Sequence, residues 1–482
     1  MKTNKVITIL LFLLGVTGLK AQNTNIDAYV KKMVVDPDVE NATFGISVYN
    51  VTKNKPIYNY NGNKSMIPAS IQKLITTSIG FEKLGKDFRF KTSIGYTGTI
   101  DEESGVLYGN IYIIGGGDPI LGSYRYKQTA IDSVFSKWKQ AMTDAGIKKV
   151  EKRICYDASI FDSKQLHDSW MWGDIGNYYG CGVSGLNIHE NMYFAHFSSG
   201  SLLNRPAVIN SITPRNVDVW NKNEVTTGSQ NSGDGVVIYG EPNSNVRSYT
   251  GTVPLGQKNF KIRGSIPNPP ETCAKMFQKY LNDAGIETSA YVSESSLNND
   301  HVKVLFDYFS PSYLDIVTFT NHTSNNIYVE SIFKYLGYNR YKKGSFETGE
   351  YVVKDFFKEH QLVDKGVSVI DGSGLSRQNM MTTSFMCKFL AEISRQPYFN
   401  DFLHTLPQIG KSGTAKNILK NKNITKEIYI KTGSMSKIKA YAGYVVDDNG
   451  DLISFCFIAN NFECSQSKIG TKLEQILLMI IE

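Results

Sequence analysis

The most restrictive feature of this sequence is that two of its clearest strand patterns lie at opposite ends of a 482-residue chain. Near the start, ATFGISVYN alternates Phe44, Ile46 and Val48 against small or polar residues, then turns at TKNK and resumes as PIYNY, a hairpin pattern. Near the finish, IYIKTG and AYAGYVVDDNGDLISFCFIANN alternate in the same way, the second folding back at Asn449-Gly450, a dipeptide suited to a tight hairpin turn. Helical periodicities separate them, ETCAKMFQKYLNDAG, NNIYVESIFKYLG and MTTSFMCKFLAEIS, and a last helix from about Lys472 to Ile481 follows the final strands. One antiparallel sheet assembled from both ends and flanked by helices accounts for this order, which makes the fold α+β.

A chain of this length exceeds one ordinary core, so a second body is expected. Phe88 to Gly264 supplies it. Here short Gly/Ser/Asn-rich strands (YTGTI, VLYGNIYIIGGGDP, VVIYGEPNS, YTGTVPLG, NFKIRGSI) surround one helical interval from about Tyr126 to Gly146. The expected organisation is a discontinuous domain of residues 22–87 and 265–482, interrupted by a large β-rich insert of one or two modules at 88–264.

Residues 1–21 read as an export signal: Lys2 and Lys5 precede an apolar run from Val6 to about Val16, then small and polar residues near Ala21. The run is short for a spanning anchor, so any membrane association is expected to be peripheral and the location to be the periplasm or cell envelope. The formal charge is +7, and three of those lysines lie in the first 21 residues, leaving +4. That mild excess, without a dense basic stripe, argues against nucleic acid as a partner. Six cysteines in an exported chain permit disulfides, but spacing selects no pairing, and buried free thiols are the alternative. The histidines are scattered and no H-E-x-x-H occurs, so neither a metal nor another cofactor is expected. The turn IIGGGDP lacks the rest of a phosphate loop or dinucleotide fingerprint.

Chemistry concentrates in three short segments. IPASIQKLITT opens a helix at Pro68, with Ser70 in its first turn and Lys73 three residues on. Positions three apart share a helix face, so the amine can reach the hydroxyl. The free N–H groups of a first turn can stabilise an oxyanion over Ser70. A positive helix end and an apolar setting disfavour a charged lysine, as a base requires. Ser-x-x-Lys also occurs at Ser136, Ser331, Ser434, Ser436 and Ser465, so company decides. Serine-lysine acyl-transfer enzymes also need S-x-N and K-[ST]-G. Of the S-x-N candidates at Ser229, Ser296 and Ser324, the last directly precedes an amphipathic helix, with Asn326 as its amide. Of KSG at Lys411 and KTG at Lys431, the second lies on a strand pattern, IYIKTGSMS, where an extended substrate can pair with the backbone. That selects Lys431, Thr432 and Gly433, with the N–H of Ser434 as second oxyanion donor beside that of Ser70.

With these segments, and with IYIIGGGDPIL, YDASIFD, WMWGDIGNYYGCGVSGLNIHENMY, DGSGLSRQN and LPQIGKSGT, the chain resembles the class C low-molecular-weight penicillin-binding proteins, the D-alanyl-D-alanine carboxypeptidase/endopeptidases of peptidoglycan. The resemblance runs over nearly the whole exported chain, and 254 residues separate Ser70 from Ser324, room for the large insert that marks this family. It implies a serine β-lactamase/DD-peptidase-like transpeptidase domain, peptidoglycan peptides as substrates and β-lactams as covalent inhibitors. It further implies Ser70 as acylated nucleophile, Lys73 as its base, and Ser324 as proton relay to the leaving amine. Asn326 would bind the substrate amide, and Lys431 and Thr432 the terminal carboxylate. Asp174 and Tyr179 from the insert, with Arg377 after DGSGLS, would grip the free end of the peptide's diamino acid. Ser436 stands where relatives carry glutamine, which leaves the side-chain preference open. A β-lactamase or esterase on the same fold, and a weakly active peptidoglycan-binding scaffold, are the other readings of these residues.

Overall fold

The computed structural model describes residues 25–481 apart from Asn243, Ala290 and residues 296–301. The expected export signal and the Ser296 candidate lie outside the described residues. The chain divides into two compact units: one of Met1–Glu82, Val317–Ser324 and Val353–Glu482, the other of Lys83–Ile316 and Asn325–Val352.

The first unit is built on one antiparallel sheet drawn from both ends of the chain. Its strands are β1 (Thr43–Asn50), β2 (Lys55–Tyr60), β3 (Ile428–Met435), β4 (Ile438–Val446) and β5 (Leu452–Asn460), in the order β3-β4-β5-β1-β2. The join between the termini is the β1–β5 pair, with Thr43 opposite Asn460 and Asn50 opposite Ile453. β5 is buried along almost its whole length, because helices cover both faces of the sheet. On one face the helix Gln466–Ile481 and the segment 25–33 bury Ile469, Leu473, Ile476 and Leu477 with Ile26 and Val30 against Phe455 and Phe457. The helix Thr383–Ile393 packs on β1 and β5. The closing helix starts six residues before the expected Lys472, since Ile469 already faces the sheet.

The segment after Pro68 departs from expectation in two respects. Ala69–Gln72 is a 3₁₀ turn that leads into α1 (Lys73–Leu84), and every residue of α1 from Lys73 to Phe81 is buried, where the sequence pattern gives a single apolar stripe of Ile71, Leu74, Ile75 and Ile79. Its polar residues are satisfied internally: Thr77 and Ser78 hydroxyls donate to the carbonyls of Lys73 and Leu74 at 2.7 Å, and Thr76 donates to Gly372 O at 2.9 Å.

The second unit holds a five-stranded mixed sheet in the order Val292–Glu294, Ile154–Asp157, Ile111–Ile114, Lys91–Tyr96 and Lys303–Phe309. Helices Ile131–Asp144 and Pro269–Asp283 bury Phe135, Trp138 and Phe277 together, the last two edge to face at 5.2 Å. A four-stranded sheet of Glu287–Thr288, Lys149–Val150, Val106–Tyr108 and Thr99–Ile100, and two smaller sheets of strands between 192 and 265, accompany it. The insert was expected to close at 264, but in this division the second unit continues to Ile316. The reason is pairing: Lys303–Phe309 lies antiparallel to Lys91–Tyr96, and Pro269–Asp283 shares the core of the earlier strands.

Candidate active site

In the first unit, Ser70 sits in the 3₁₀ turn, half-buried. With three residues per turn, positions i and i+3 eclipse, which brings the Lys73 amine over the serine. Lys73 Nζ lies 2.8 Å from Ser70 Oγ and also donates to Ser373 O at 2.8 Å, and the lysine is fully buried. That second acceptor comes from the DGSG loop, and Asp371 shapes the loop. Its buried carboxylate accepts from Gly374 N (2.8 Å), Ser376 N (2.7 Å) and Asn379 Nδ2 (2.9 Å), with Gln72 Nε2 at 3.2 Å. Gly374 has φ +82°, and a Cβ there would stand 2.1 Å from Ala69 O. The loop therefore rests directly on the residue before the nucleophile.

Ser324 closes the helix Tyr313–Thr323 in a left-handed conformation, φ +58°. Its Oγ accepts from Lys431 Nζ at 2.9 Å, and the same amine donates to Thr432 O at 2.9 Å. Burial, and secondly the nearby Lys73, hold the Lys431 amine well below the ordinary lysine range. The two amines thus share one desolvated pocket in which charge on one opposes charge on the other.

β3, which carries Lys431, Thr432 and Gly433, is an edge strand. Its outer edge is used at Ile430, whose N–H donates to Pro407 O at 2.9 Å. Residues two apart present their N–H and C=O to the same side, so Thr432 and Ser434 face that edge too. A Cβ on Gly433 would lie 2.9 Å from Pro68 O and 3.0 Å from Ser70 N. Glycine is needed there because the strand runs against the backbone of the turn that carries Ser70. The KSG triplet at Lys411 is not a rival: Lys411 pairs with Glu427 at 3.2 Å, while Thr414 just beyond it bonds Thr432 Oγ1 at 2.9 Å. Thr414, Asp371 and the Ser373 carbonyl escaped assignment from spacing, although KSGT and DGSG were visible as segments.

Arg377 follows Ser376 in the DGSG loop of the first unit. Asp174, Tyr179 and Asn326 belong to the second, where they come together. The half-exposed Tyr179 is hydrogen-bonded to Asp174, and burial and then that carboxylate raise its phenol pKa. Asn326 opens α2 (Asn326–Tyr341) and donates from Nδ2 to Tyr179 O at 2.6 Å. Ser229 lies in a polar turn of this unit, where its carbonyl accepts from Ser232 N at 3.1 Å.

Fold and site together define a serine peptidase that works by acyl transfer. The chain belongs to the D-Ala-D-Ala carboxypeptidase 3 (S13) family, whose model matches residues 26–478. It is 25% identical over 455 residues to a D-alanyl-D-alanine carboxypeptidase of Actinomadura sp. (strain R39), covering 91% of this chain and 82% of the relative. It is 24% identical over 440 residues to the D-alanyl-D-alanine carboxypeptidase DacB of Haemophilus influenzae, covering 90% and 88%. The crystal structure of penicillin binding protein 4 (dacB) from H. influenzae superposes with a TM-score of 0.80 at 22% identity over 94% of this chain and 98% of that one. This last likeness establishes the fold, a DD-peptidase-like domain with a large insertion. All six cysteines are free, five of them buried. Among the described residues no helix is long and apolar enough to cross a membrane.

Proposed function

We propose that the chain is exported by its first 21 residues and acts in the cell envelope as a serine D-Ala-D-Ala carboxypeptidase/endopeptidase on peptidoglycan stem peptides and crosslinks. Lys73 takes the proton of Ser70, whose Oγ attacks the carbonyl of the penultimate D-alanine. Negative charge on that carbonyl oxygen is met by the N–H groups of Ser70 and Ser434. The tetrahedral species collapses to an acyl-enzyme, and Ser324 delivers a proton to the departing amine while Lys431 re-supplies it. Water then attacks the ester and returns the serine. Thr432, with Thr414, receives the terminal carboxylate at the open edge of β3, and Gly433 keeps that edge against Ser70. Asn326 holds the substrate amide, and Asp174, Tyr179 and Arg377 read the free end of the diamino acid. A β-lactam acylates Ser70 by the same route and is released slowly. No cofactor enters any step.

The observation that carries this reading is the pairing of Lys73 with Ser70 and of Lys431 with Ser324, at 2.8 and 2.9 Å, in one buried pocket of mutually opposed amines. The test incubates the exported chain and its Ser70→Ala variant with fluorescent penicillin and with crosslinked muropeptides. A lasting adduct together with D-alanine or crosslink release, both abolished in the variant, is the expected result. Rapid penicillin turnover would instead identify a β-lactamase, and an unlabelled, inert native chain a scaffold.

A further inference from the structure

Glu190 is 2% exposed and sits in the middle of an unusual turn. His189, Glu190 and Asn191 all adopt left-handed backbone, with φ of 52°, 56° and 49°. Such backbone is strained for L-residues and persists only where the surroundings hold it. The turn is held from within: Asn191 accepts from Ile188 N at 3.0 Å and donates to Gly182 O at 2.8 Å, and His189 Nδ1 lies 2.7 Å from Met192 O. Its effect is to aim the carboxylate inward. There Oε1 accepts from Ser123 Oγ (2.6 Å), Arg125 Nε (2.6 Å) and Tyr328 Oη (2.9 Å), and Oε2 accepts from Arg125 Nη2 (3.0 Å).

Tyr328 gives this network its functional meaning. It is fully buried in the first turn of α2, and its backbone N–H is capped by Asn325 Oδ1 at 3.4 Å. Asn326, two residues earlier, is held by Tyr179 O. At 3.6 residues per turn, positions two apart project from nearly opposite sides of a helix. The first turn of α2 is therefore clamped between two points of one stretch of chain, Tyr179 on one side and Glu190 on the other. Burial, and then the Glu190 carboxylate, hold the Tyr328 phenol well above its ordinary range, so it stays a donor.

We infer that Glu190, acting through Tyr328, is a positioning residue that sets the rotation of the first turn of α2 and so the presentation of the Asn326 amide. The inference rests on reading Asn326 as the ligand of the substrate amide. Arg125 supplies the counter-charge that lets a carboxylate do this while buried.

Glu190→Gln would leave Arg125 without its ion pair and risks misfolding, so the test uses Tyr328→Phe, which removes one hydroxyl and leaves Glu190, Ser123 and Arg125 in place. Release of D-alanine from a stem pentapeptide ending in D-Ala-D-Ala is measured for the full chain, Tyr328→Phe, Asn326→Ala and the double variant, with thermal unfolding in parallel. Loss of the hydrogen bond should lower kcat/KM about 5–10-fold in the native background. In the Asn326→Ala background the same change should cost less than about twofold, because the residue it positions is gone. A purely structural defect would lower both backgrounds equally, and that additivity, or an unaffected Tyr328→Phe enzyme, overturns the inference alone. An Asn326→Ala variant with native kcat/KM overturns the inference together with the assignment of Asn326.

Discussion

Adding one methyl group at Gly433 tests the geometry of the oxyanion hole more sharply than deleting a catalytic side chain. The new Cβ would stand 2.9 Å from Pro68 O, 3.0 Å from Ser70 N and 3.2 Å from Ala69 Cβ. The first two are backbone atoms of the turn that carries the nucleophile, so relief requires β3 and that turn to part by about 0.5 Å, and overpacking of this kind costs roughly 1–3 kcal/mol. The kinetic penalty should exceed the stability penalty. Parting the two elements separates the Ser70 N–H from that of Ser434, and loss of one oxyanion donor lowers kcat about 10²–10³-fold. Stopped-flow acylation by fluorescent penicillin and D-alanine release should both fall by that order in Gly433→Ala, while the melting temperature drops only a few degrees. Gly45→Ala is the matched control in the same sheet: its Cβ would meet Met66 Sδ at 3.0 Å and Thr383 Cγ2 at 3.2 Å, side-chain atoms that can yield, so native kinetics are expected. Acylation of Gly433→Ala within about fivefold of the native rate, under 1 kcal/mol of barrier, would refute the placement of this strand against Ser70.

Three further outcomes follow from the same packing. Asp371→Asn replaces a buried acceptor of several hydrogen bonds by a group that must point an NH₂ at donors, so urea unfolding should show a loss of about 3 kcal/mol. The turnover of that variant should fall as the Ser373 carbonyl leaves Lys73; full activity would mean the loop does not position the base. Lys431→Met should lose about 100-fold or more in kcat yet unfold no earlier than the native chain near neutral pH. Burial holds the native Lys431 amine well below the ordinary lysine range, so the unfolded state binds more protons between the depressed folded value and that range, and stability rises with pH across the interval. In Lys431→Met this rise should flatten, and melting scans from neutral to alkaline pH that keep the native slope would count against a desolvated amine. Finally, thiol titration of the native chain should find Cys464 alone reactive, with all six thiols appearing on unfolding; a disulfide detected by mass would contradict the structure.

What could be seen in the sequence depended on how local its cause was. The Ser70–Lys73 pair was legible because a spacing of three works in a 3₁₀ turn as well as in an α-helix, so the misread helix type did no harm. Lys431 was separable from Lys411 because strand alternation continues through IYIKTGSMS and fails in LPQIGKSGT. The burial of α1 on all sides was not legible: Ile71, Leu74, Ile75 and Ile79 mark one apolar stripe, and only the structure shows the hydroxyls of Thr76, Thr77 and Ser78 bonded to carbonyls. The closure of the second unit was also hidden, since Glu287–Thr288 and Val292–Glu294 are too short to declare a period, and Lys303–Phe309 acquires its meaning from a partner some 200 residues earlier.

Spacing named the reacting atoms, but backbone conformation places them. Ala69 has φ +47° and Ser324 φ +58°, so the residue before Ser70 and Ser324 itself both occupy a region that L-residues avoid. Neither strain is visible in ASIQK or SNN, whose residue types do not demand it. Each persists because rigid neighbours leave no alternative: Ala69 is wholly buried with its carbonyl against Gly374, and Ser324 joins one helix to the Asn325 cap of the next. Lys73 and Lys431 are buried as well, which is costly for amines unless they stay neutral or find acceptors. The strained backbone and the desolvated amines converge on two hydroxyls. A surface helix with a chance Ser-x-x-Lys would show neither feature. Ser331-x-x-Lys334 also buries its lysine, but that amine pairs with Asp162 Oδ1 at 2.9 Å and Lys164 O at 2.6 Å, whereas Lys73 Nζ lies against Ser70 Oγ itself.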